Sequence, residues 1–162
     1  VYLTQKLNDM SNKISGIIDS SFCWNQFTGR YILHVLARFT DYVDVLMGDS
    51  SNFPSYINRN VKNSYDREHV IPDKYEDYRD KFGSLDEFNT YRQKIGNLIL
   101  LKLDKNRSYQ DMTYADKKEY YYSDNVLARS FNEKSYSNNP KFLNNVASKY
   151  PFKVIVNLES KA

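Results

Sequence analysis

Cysteine, histidine and long apolar stretches are all scarce in this chain of 162 residues. The single cysteine, Cys23, excludes an internal disulfide framework and a zinc site built from several cysteines. No apolar run approaches the roughly 18 residues that a membrane-spanning helix needs, and no basic-then-apolar leader stands at the start. We therefore expect a cytoplasmic protein with no membrane partner.

The residues that are abundant fit one domain with a packed core. Aromatic residues make up 15% of the chain, which argues against disorder, and a domain of this size buries about 70% of its unfolded surface. The net charge of +3 is unevenly spread, with six basic and eight acidic groups at 66–95 and eleven and seven at 96–162. The chain begins at Val1, and we expect it to be a piece excised from a longer protein.

Apolar spacing predicts that the first part of the chain is helical. Apolar residues recur every three to four positions over 2–20 and 24–47, which predicts two helices that pair as an N-terminal hairpin within 1–48. Gly48 is placed to end the second helix. The stretch 49–60 is rich in Ser, Asn, Asp and Pro, which predicts a loop.

The rest of the chain predicts short strands and capped helices. Residues 61–71 predict a strand ended by Pro72, and 98–101 predict a buried strand followed by a turn at 104–106. Three further helices are predicted, at 85–94 after a capping box of Ser84 and Glu87, at 113–122 after a start signal of Thr113 and Asp116, and at 140–149 after the cap Asn139. A last strand is predicted at 152–158.

Two histidines could transfer protons, and their surroundings distinguish them. His34 lies among apolar residues of a predicted helix, where a packed or half-exposed histidine is expected. His69 follows Glu68 at the end of a predicted strand, just before a proline. Its imidazole titrates near neutrality and could take a proton from water, while Glu68 could give oxygen to a divalent cation. The motif alone is a weak signal, and by itself it favours a structural or incidental role.

Two asparagines downstream favour the catalytic interpretation. Asn97 precedes the apolar strand and Asn106 follows it. The order of elements predicts a β-hairpin and a helix that could hold one metal ion between Glu68 and Asn106, with His69 beside it. This is the minimum equipment for hydrolysing a phosphodiester bond. Asn97 cannot act as a base, and we expect it to tie the hairpin loop through side-chain to backbone hydrogen bonds.

These motifs resemble those of HNH endonucleases of the His-Me finger (ββα-metal) superfamily. More narrowly, they resemble the C-terminal nuclease domain of GmrSD-type modification-dependent restriction and phage-defence enzymes. The resemblance covers roughly residues 25–131 and rests on E-H-V-I-P at 68–72, I-G-N-L-I-L-L at 95–101, Asn106, and K-K-E-Y-Y at 117–121.

The resemblance implies an α+β fold that is mostly helical, with a ββα-metal core flanked by helices. The whole of 1–162 would form a single nuclease domain. Its parts would be the N-terminal helical hairpin, the core at 61–122 with an insert at 73–95, and a C-terminal extension at 123–162.

Carried over by position, the resemblance assigns a role to each candidate residue. His69 would be the general base, and Asn97 would complete the catalytic set with Asn106. Glu68 and Asn106 would bind the metal ion, with Asp66 as the alternative ligand. The interval of 28 residues from His69 to Asn97 is longer than in compact HNH modules.

Residues around Asn106 bear on the metal and on the substrate. Lys105 stands where many HNH proteins have histidine, which favours Mg²⁺ or Mn²⁺ over zinc. Arg107, Lys117 and Lys118 could contact phosphates of the nucleic acid, with a solvated helix face as the alternative. Lys117 and Lys118 are about 100° apart on one helix and cannot both point the same way. The tyrosines at 120–122 could stack on bases, although core packing is favoured.

The leading hypothesis is a metal-dependent DNA endonuclease or nickase that acts in bacterial restriction of foreign or modified DNA. The resemblance implies DNA as the substrate, a bacterial cytoplasmic location and an N-terminal nucleotide-hydrolysing domain in the parent protein. One alternative is a non-catalytic module that binds nucleic acid or regulates a partner on the same scaffold. Another is a nuclease that acts on RNA, since the candidate residues handle only the phosphate.

Overall fold

The computed structural model describes residues 23–109, 112–142 and 144–145. The predicted helix at 2–20, the predicted strand at 152–158 and half of the predicted helix at 140–149 lie outside the described residues. The described part is an α+β structure that is mostly helical, as predicted. Its elements in chain order are α1 (Gly29–Leu46), α2 (Phe53–Ile57), β1 (Tyr65–His69), α3 (Leu85–Arg92), β2 (Leu98–Lys102), α4 (Leu103–Tyr109), α5 (Tyr114–Tyr121), α6 (Val126–Arg129), α7 (Lys134–Ser137) and α8 (Pro140–Phe142), with 3₁₀ turns at Tyr75–Tyr78 and Ile95–Asn97.

Helix α1 begins later than the predicted start at residue 24, and a local turn is the reason. The side-chain oxygen of Asn25 accepts hydrogen bonds from the backbone N–H groups of Phe27 (2.9 Å) and Thr28 (3.0 Å). This turn competes with helical hydrogen bonding and leaves Trp24 outside the helix. At the other end Gly48 has φ +89°, the left-handed conformation of a helix-terminating glycine.

Two predictions about connecting segments are wrong. The predicted loop at 49–60 contains α2. A proline in the first turn of α2 has a φ already suited to a helix, and Asp41 accepts a hydrogen bond from the N–H of Phe53 at 2.9 Å, which fixes the start. The predicted turn at 104–106 lies within α4. The N–H of Asp104 donates to the side chain of Asn63 at 3.1 Å, so a partner distant in sequence caps this helix.

The two capping motifs are confirmed by their hydrogen bonds. Ser84 Oγ accepts from the N–H of Glu87 at 3.1 Å and starts α3. Thr113 Oγ1 accepts from the N–H of Asp116 at 3.2 Å and starts α5. In both cases a hydroxyl satisfies a backbone donor that the first turn leaves unpaired.

Strands β1 and β2 pair antiparallel, with Tyr65 opposite Lys102 and His69 opposite Leu98. β1 is shorter than the predicted strand at 61–71. Helix α4 begins at the residue after β2, whereas α3 and the two 3₁₀ turns separate β1 from β2 in the chain.

The hairpin is buried on both faces. One apolar cluster joins β2 to α1 and α2, and a second joins it to α4, α5 and α6; their buried members are Ile32, Leu33, Leu36, Ala37, Tyr56, Leu98 and Leu100 in the first, and Val70, Ile99, Leu101, Tyr109, Tyr114, Tyr121 and Ala128 in the second. This explains why β2 is a continuous apolar run and not an alternating one. Across the described ranges, no helix combines the length and apolar character needed to cross a membrane.

Candidate active site

Strand β1 sends its polar side chains to opposite sides of the hairpin. Glu68 is opposite Ile99, which packs in the cluster with α4 and α5, whereas His69 is opposite Leu98, which packs in the cluster with α1. Residues that face each other across a strand pair share a face, and successive residues alternate. Glu68 therefore points toward α4 and α5, and His69 points toward the segment before α1.

His69 is held between a ring and an amide at the end of β1. Its imidazole stacks on the indole of Trp24, with centroids 5.1 Å apart and an interplanar angle of 25°. Its Nε2 lies 3.4 Å from Oε1 of Gln93. Burial, reinforced by the positive charges of Arg92 and Lys117, lowers the pKa of His69 to about 4. The imidazole is therefore neutral at pH 7 and retains a lone pair that can accept a proton.

Glu68 forms a buried ion pair with Lys117 of α5. Only 5% of Glu68 and 2% of Lys117 is exposed to solvent, and the Lys117 ammonium donates to Glu68 Oε1. The same ammonium donates to the carbonyl oxygen of His69 at 3.0 Å. Burial raises the pKa of Glu68, while the charges of Lys117 and Arg92 oppose the rise. Lys117 thus fixes both the carboxylate and the main chain beside His69.

Asn97 joins the chain after β1 to the chain before β2. Its side-chain oxygen accepts from the N–H of Ile71 at 3.1 Å, and its side-chain NH₂ donates to the carbonyl of Arg92 at 3.1 Å. The N–H of Val70 donates to the Asn97 carbonyl at 2.9 Å. Since Asn97 is 7% exposed, these bonds hold the segment after His69 in a position sheltered from water.

Asn106 connects α4 to β1. Its side-chain NH₂ donates at 2.8 Å to the carbonyl of Arg67, the residue before Glu68. Because the amide nitrogen makes this bond, the amide oxygen of Asn106 can serve as an acceptor or as a metal ligand. The structure therefore brings His69, Glu68 and Asn106 to one end of the hairpin, around three consecutive residues of β1.

The alternative ligand Asp66 has other partners. Its Oδ1 accepts from the backbone N–H of Arg67 at 2.8 Å and pairs with Arg67 Nε at 3.2 Å. Its Oδ2 lies 3.4 Å from Nη2 of Arg59. Asp66 shares a strand face with Glu68 but is two residues further from the strand end.

The three expected phosphate contacts do not lie on one surface. Arg107 is exposed on α4, whereas Lys117 is buried on Glu68. Lys118 points away from Lys117 and pairs with Glu133 at 3.0 Å, as neighbours on a helix must diverge. Of the tyrosines at 120–122, the middle one is fully buried and the first is 48% exposed.

Three residues near His69 carried no signal of function in the sequence. Trp24 matched a helical apolar pattern, and Arg92 and Gln93 matched the end of a predicted helix. Arg92 is buried, with Nε donating to the carbonyl of Ile71 at 3.2 Å and Nη1 paired with Asp73 at 3.2 Å. The position of Arg92 and Gln93 just before the I-G-N-L motif is the one sequence feature that could have indicated a role for them.

The acidic and imidazole groups are dispersed. Within the described ranges, no three or more His, Cys, Asp or Glu side chains are grouped so that they could hold a metal ion.

The sequence matches the family described as the C-terminal domain of GmrSD restriction endonucleases over residues 17–154. The chain belongs to this family. As a GmrSD C-terminal domain it is related to restriction endonucleases, which confirms the narrower resemblance, the one to GmrSD C-terminal domains. No curated protein and no solved structure matches this GmrSD C-terminal domain. The matched range contains β1, β2 and α4 together with every candidate residue of the site.

Proposed function

We propose that this GmrSD C-terminal domain is an HNH-type endonuclease or nickase that hydrolyses phosphodiester bonds of DNA in bacterial restriction. The observation that carries the proposal is at the end of the β-hairpin. There the neutral imidazole of His69 and the buried carboxylate of Glu68 lie on adjacent residues, and the side-chain amide of Asn106 donates to the carbonyl of Arg67. In this proposal β1, β2 and α4 are the ββα-metal core.

His69 is the general base. Its lone pair takes a proton from the attacking water as the new oxygen–phosphorus bond forms, while the P–O bond to the sugar oxygen breaks and that oxygen leaves to take up a proton from water. A phosphodiester bound beside it adds negative charge, which raises the pKa of His69 toward neutrality, where a base is most effective. Trp24 and Gln93 hold the ring while the carbonyl and side-chain bonds of Asn97 hold the chain that follows it.

The donors at this end fit a hard divalent cation in kind. Mg²⁺ commonly takes one or two carboxylates from the protein and completes its shell with phosphate oxygens and water. Glu68 offers a carboxylate and Asn106 an amide oxygen, with Asp66 as the alternative. A bound Mg²⁺ or Mn²⁺ would neutralise charge that develops on the phosphate. Lys117 already holds Oε1 of Glu68, so the cation would share this carboxylate with an ammonium.

Substrate contacts and the parent protein complete the proposal. Arg107 is exposed on α4 one residue after Asn106, a position suited to a phosphate flanking the cut. We infer from the family that the parent protein carries an N-terminal nucleotide-hydrolysing domain and that the substrate is foreign or modified DNA.

A nicking assay on supercoiled plasmid tests the proposal, with Mg²⁺, Mn²⁺ or EDTA present. We expect cutting with either metal and none with EDTA. His69→Ala is expected to lower the rate by about 10²- to 10⁴-fold, the usual contribution of a general base. His34→Ala is the matched control, because His34 is the other histidine of the chain and lies exposed on α1.

The site assignment has its own tests in the same assay. Asn106→Ala is expected to raise the metal concentration needed for half-maximal cutting, whereas an unchanged metal dependence would remove Asn106 from the ligand set. Equal rates for wild type and His69→Ala would overturn the base. Binding of DNA without cutting would favour the non-catalytic alternative, and cutting of RNA alone would reject the DNA assignment.

A further inference from the structure

Trp24 covers the proposed base from a segment that precedes α1. Its indole stacks on the His69 imidazole, with ring centroids 5.1 Å apart and planes inclined by 25°. Offset stacking at this separation is favourable for aromatic pairs and restricts rotation of the smaller ring. His69 is thereby fixed on one side by an aromatic plane that comes from about 45 residues earlier in the chain.

The segment that carries Trp24 is anchored by its backbone to the other neighbour of His69. The N–H of Trp24 donates to the carbonyl of Gln93 at 2.7 Å, and Cys23 forms a β-bridge with Lys94. The side chain of the same Gln93 lies 3.4 Å from His69 Nε2. Gln93 therefore contacts both partners, the segment of Trp24 through its backbone carbonyl and the His69 imidazole through its side-chain amide.

A second strand residue holds the indole from β1. The Arg67 guanidinium carbon lies 4.3 Å from the Trp24 ring centroid, a cation–π contact. Arg67 Nη1 also donates to the carbonyl of Gly29 at 3.0 Å. A Cβ at Gly29 would lie 3.2 Å from both Trp24 Nε1 and Arg67 Nη1, so the absence of a side chain there permits this close approach.

We propose that Trp24 is a positioning residue for the reaction, which sets the plane of the His69 imidazole while Gln93 fixes its Nε2 edge. This inference rests on the proposed function, because it assumes that His69 is the base. When Nε2 carries the ring proton and donates it to the Gln93 oxygen, Nδ1 carries the lone pair. A base that can rotate loses alignment with the attacking water, and misplacement by about 1 Å can cost 10²-fold in rate.

Kinetics of Trp24 variants in the nicking assay test the positioning role. Trp24→Leu keeps apolar volume but removes the ring, and we expect kcat to fall by about 10- to 100-fold with KM changed less than about 2-fold. Trp24→Phe keeps a ring and is expected to recover most of the lost kcat. Phe39→Leu is the matched control, since it makes a similar change on a 40% exposed aromatic of α1.

Fluorescence gives a second readout that needs no change at Trp24. It is the sole tryptophan of the chain, so tryptophan emission, excited selectively over the tyrosines, reports on the surroundings of Trp24 alone. We expect His69→Ala to shift the emission to the red and to increase quenching by acrylamide, whereas His34→Ala leaves both unchanged. Should Trp24→Leu fail to fold by circular dichroism, this measurement decides the proposal.

The outcomes distinguish a failure of the positioning role from a failure of the proposed function. An inactive His69→Ala together with a Trp24→Leu variant of wild-type kcat would overturn the positioning role and leave the proposed function intact. A fully active His69→Ala would overturn His69 as the base in the proposed function, and the positioning role with it. An increase in KM at constant kcat would place Trp24 in substrate binding instead, and unchanged fluorescence in His69→Ala would refute the stack itself.

Discussion

Replacing Lys117 by methionine isolates the buried ion pair beside the proposed base. The side chains of Lys117 and Glu68 are 2% and 6% exposed, so methionine leaves a carboxylate without a partner in a region closed to water. Removal of one member of such a pair costs about 3–5 kcal/mol in unfolding free energy. At a urea slope near 2 kcal/mol per M, a loss of about 4 kcal/mol lowers the midpoint by about 2 M.

The neighbouring lysine supplies a matched control. Lys118 pairs with Glu133, and these side chains are 19% and 52% exposed. An exposed pair contributes about 0–1 kcal/mol, so Lys118→Met should move the urea midpoint by less than about 0.5 M. Both variants make the same chemical change at adjacent positions of α5. The difference between them therefore measures burial of the pair and not loss of a lysine in general.

A compensating change and a pH series sharpen the test. Adding Glu68→Gln to Lys117→Met removes the unpaired charge and should restore more than half of the lost stability.

In Lys117→Met itself the pKa of Glu68 should rise further, so the folded state holds its proton more tightly than the unfolded state. Stability is then lost as pH rises through the folded pKa, and the deficit against wild type should shrink between pH 8 and pH 5.

Two results would refute this reasoning. An equal urea midpoint for Lys117→Met and Lys118→Met would show that the buried pair contributes no more to stability than an exposed one. The double variant could also prove no more stable than Lys117→Met, which would mean that the unpaired carboxylate is not the source of the cost.

Three further predictions concern a cap, a bridging amide and a buried carboxyl. Ser84→Ala should lower stability by about 1 kcal/mol in urea unfolding, because the N–H of Glu87 loses its cap, and an unchanged midpoint would reject the cap. Asn97→Ala should speed hydrogen exchange at the amide of Ile71, whereas unchanged protection would show that their bond is not important. Burial raises the pKa of Asp44 above its usual 3.8, so wild-type stability falls as pH rises through that raised value, and Asp44→Asn should flatten this pH dependence of the urea midpoint.

Local patterns in the sequence were sufficient where the interactions are themselves local. The boxes at Ser84 and Thr113 predicted the starts of α3 and α5, since the donor and acceptor lie three residues apart. Gly48 predicted the end of α1 through its freedom to adopt positive φ. The motifs around His69 and Asn106 likewise predicted the family, because the spacing of such residues reflects a strand, strand, helix order.

Other features depend on partners that lie far apart in the chain. The helix at α4 was predicted as a turn, because its cap comes from Asn63, and no local pattern identifies that partner. Lys117 was a candidate for phosphate contact, yet its ammonium lies on Glu68 in the interior. A lysine on a helix of mixed polarity has the same local pattern whether it faces solvent or a buried carboxylate.

The sequence by itself determined the class of fold through periodicity and capping, and its motifs identified the family by resemblance. The tertiary structure decided which of the candidate residues meet. It placed Glu68 and His69 on opposite faces of one strand, gave Lys117 to Glu68, and brought Trp24 and Gln93 onto the imidazole. The physical reason is that burial and pairing of charges depend on contacts between segments distant in sequence, and these contacts form only when the hairpin packs between the helices.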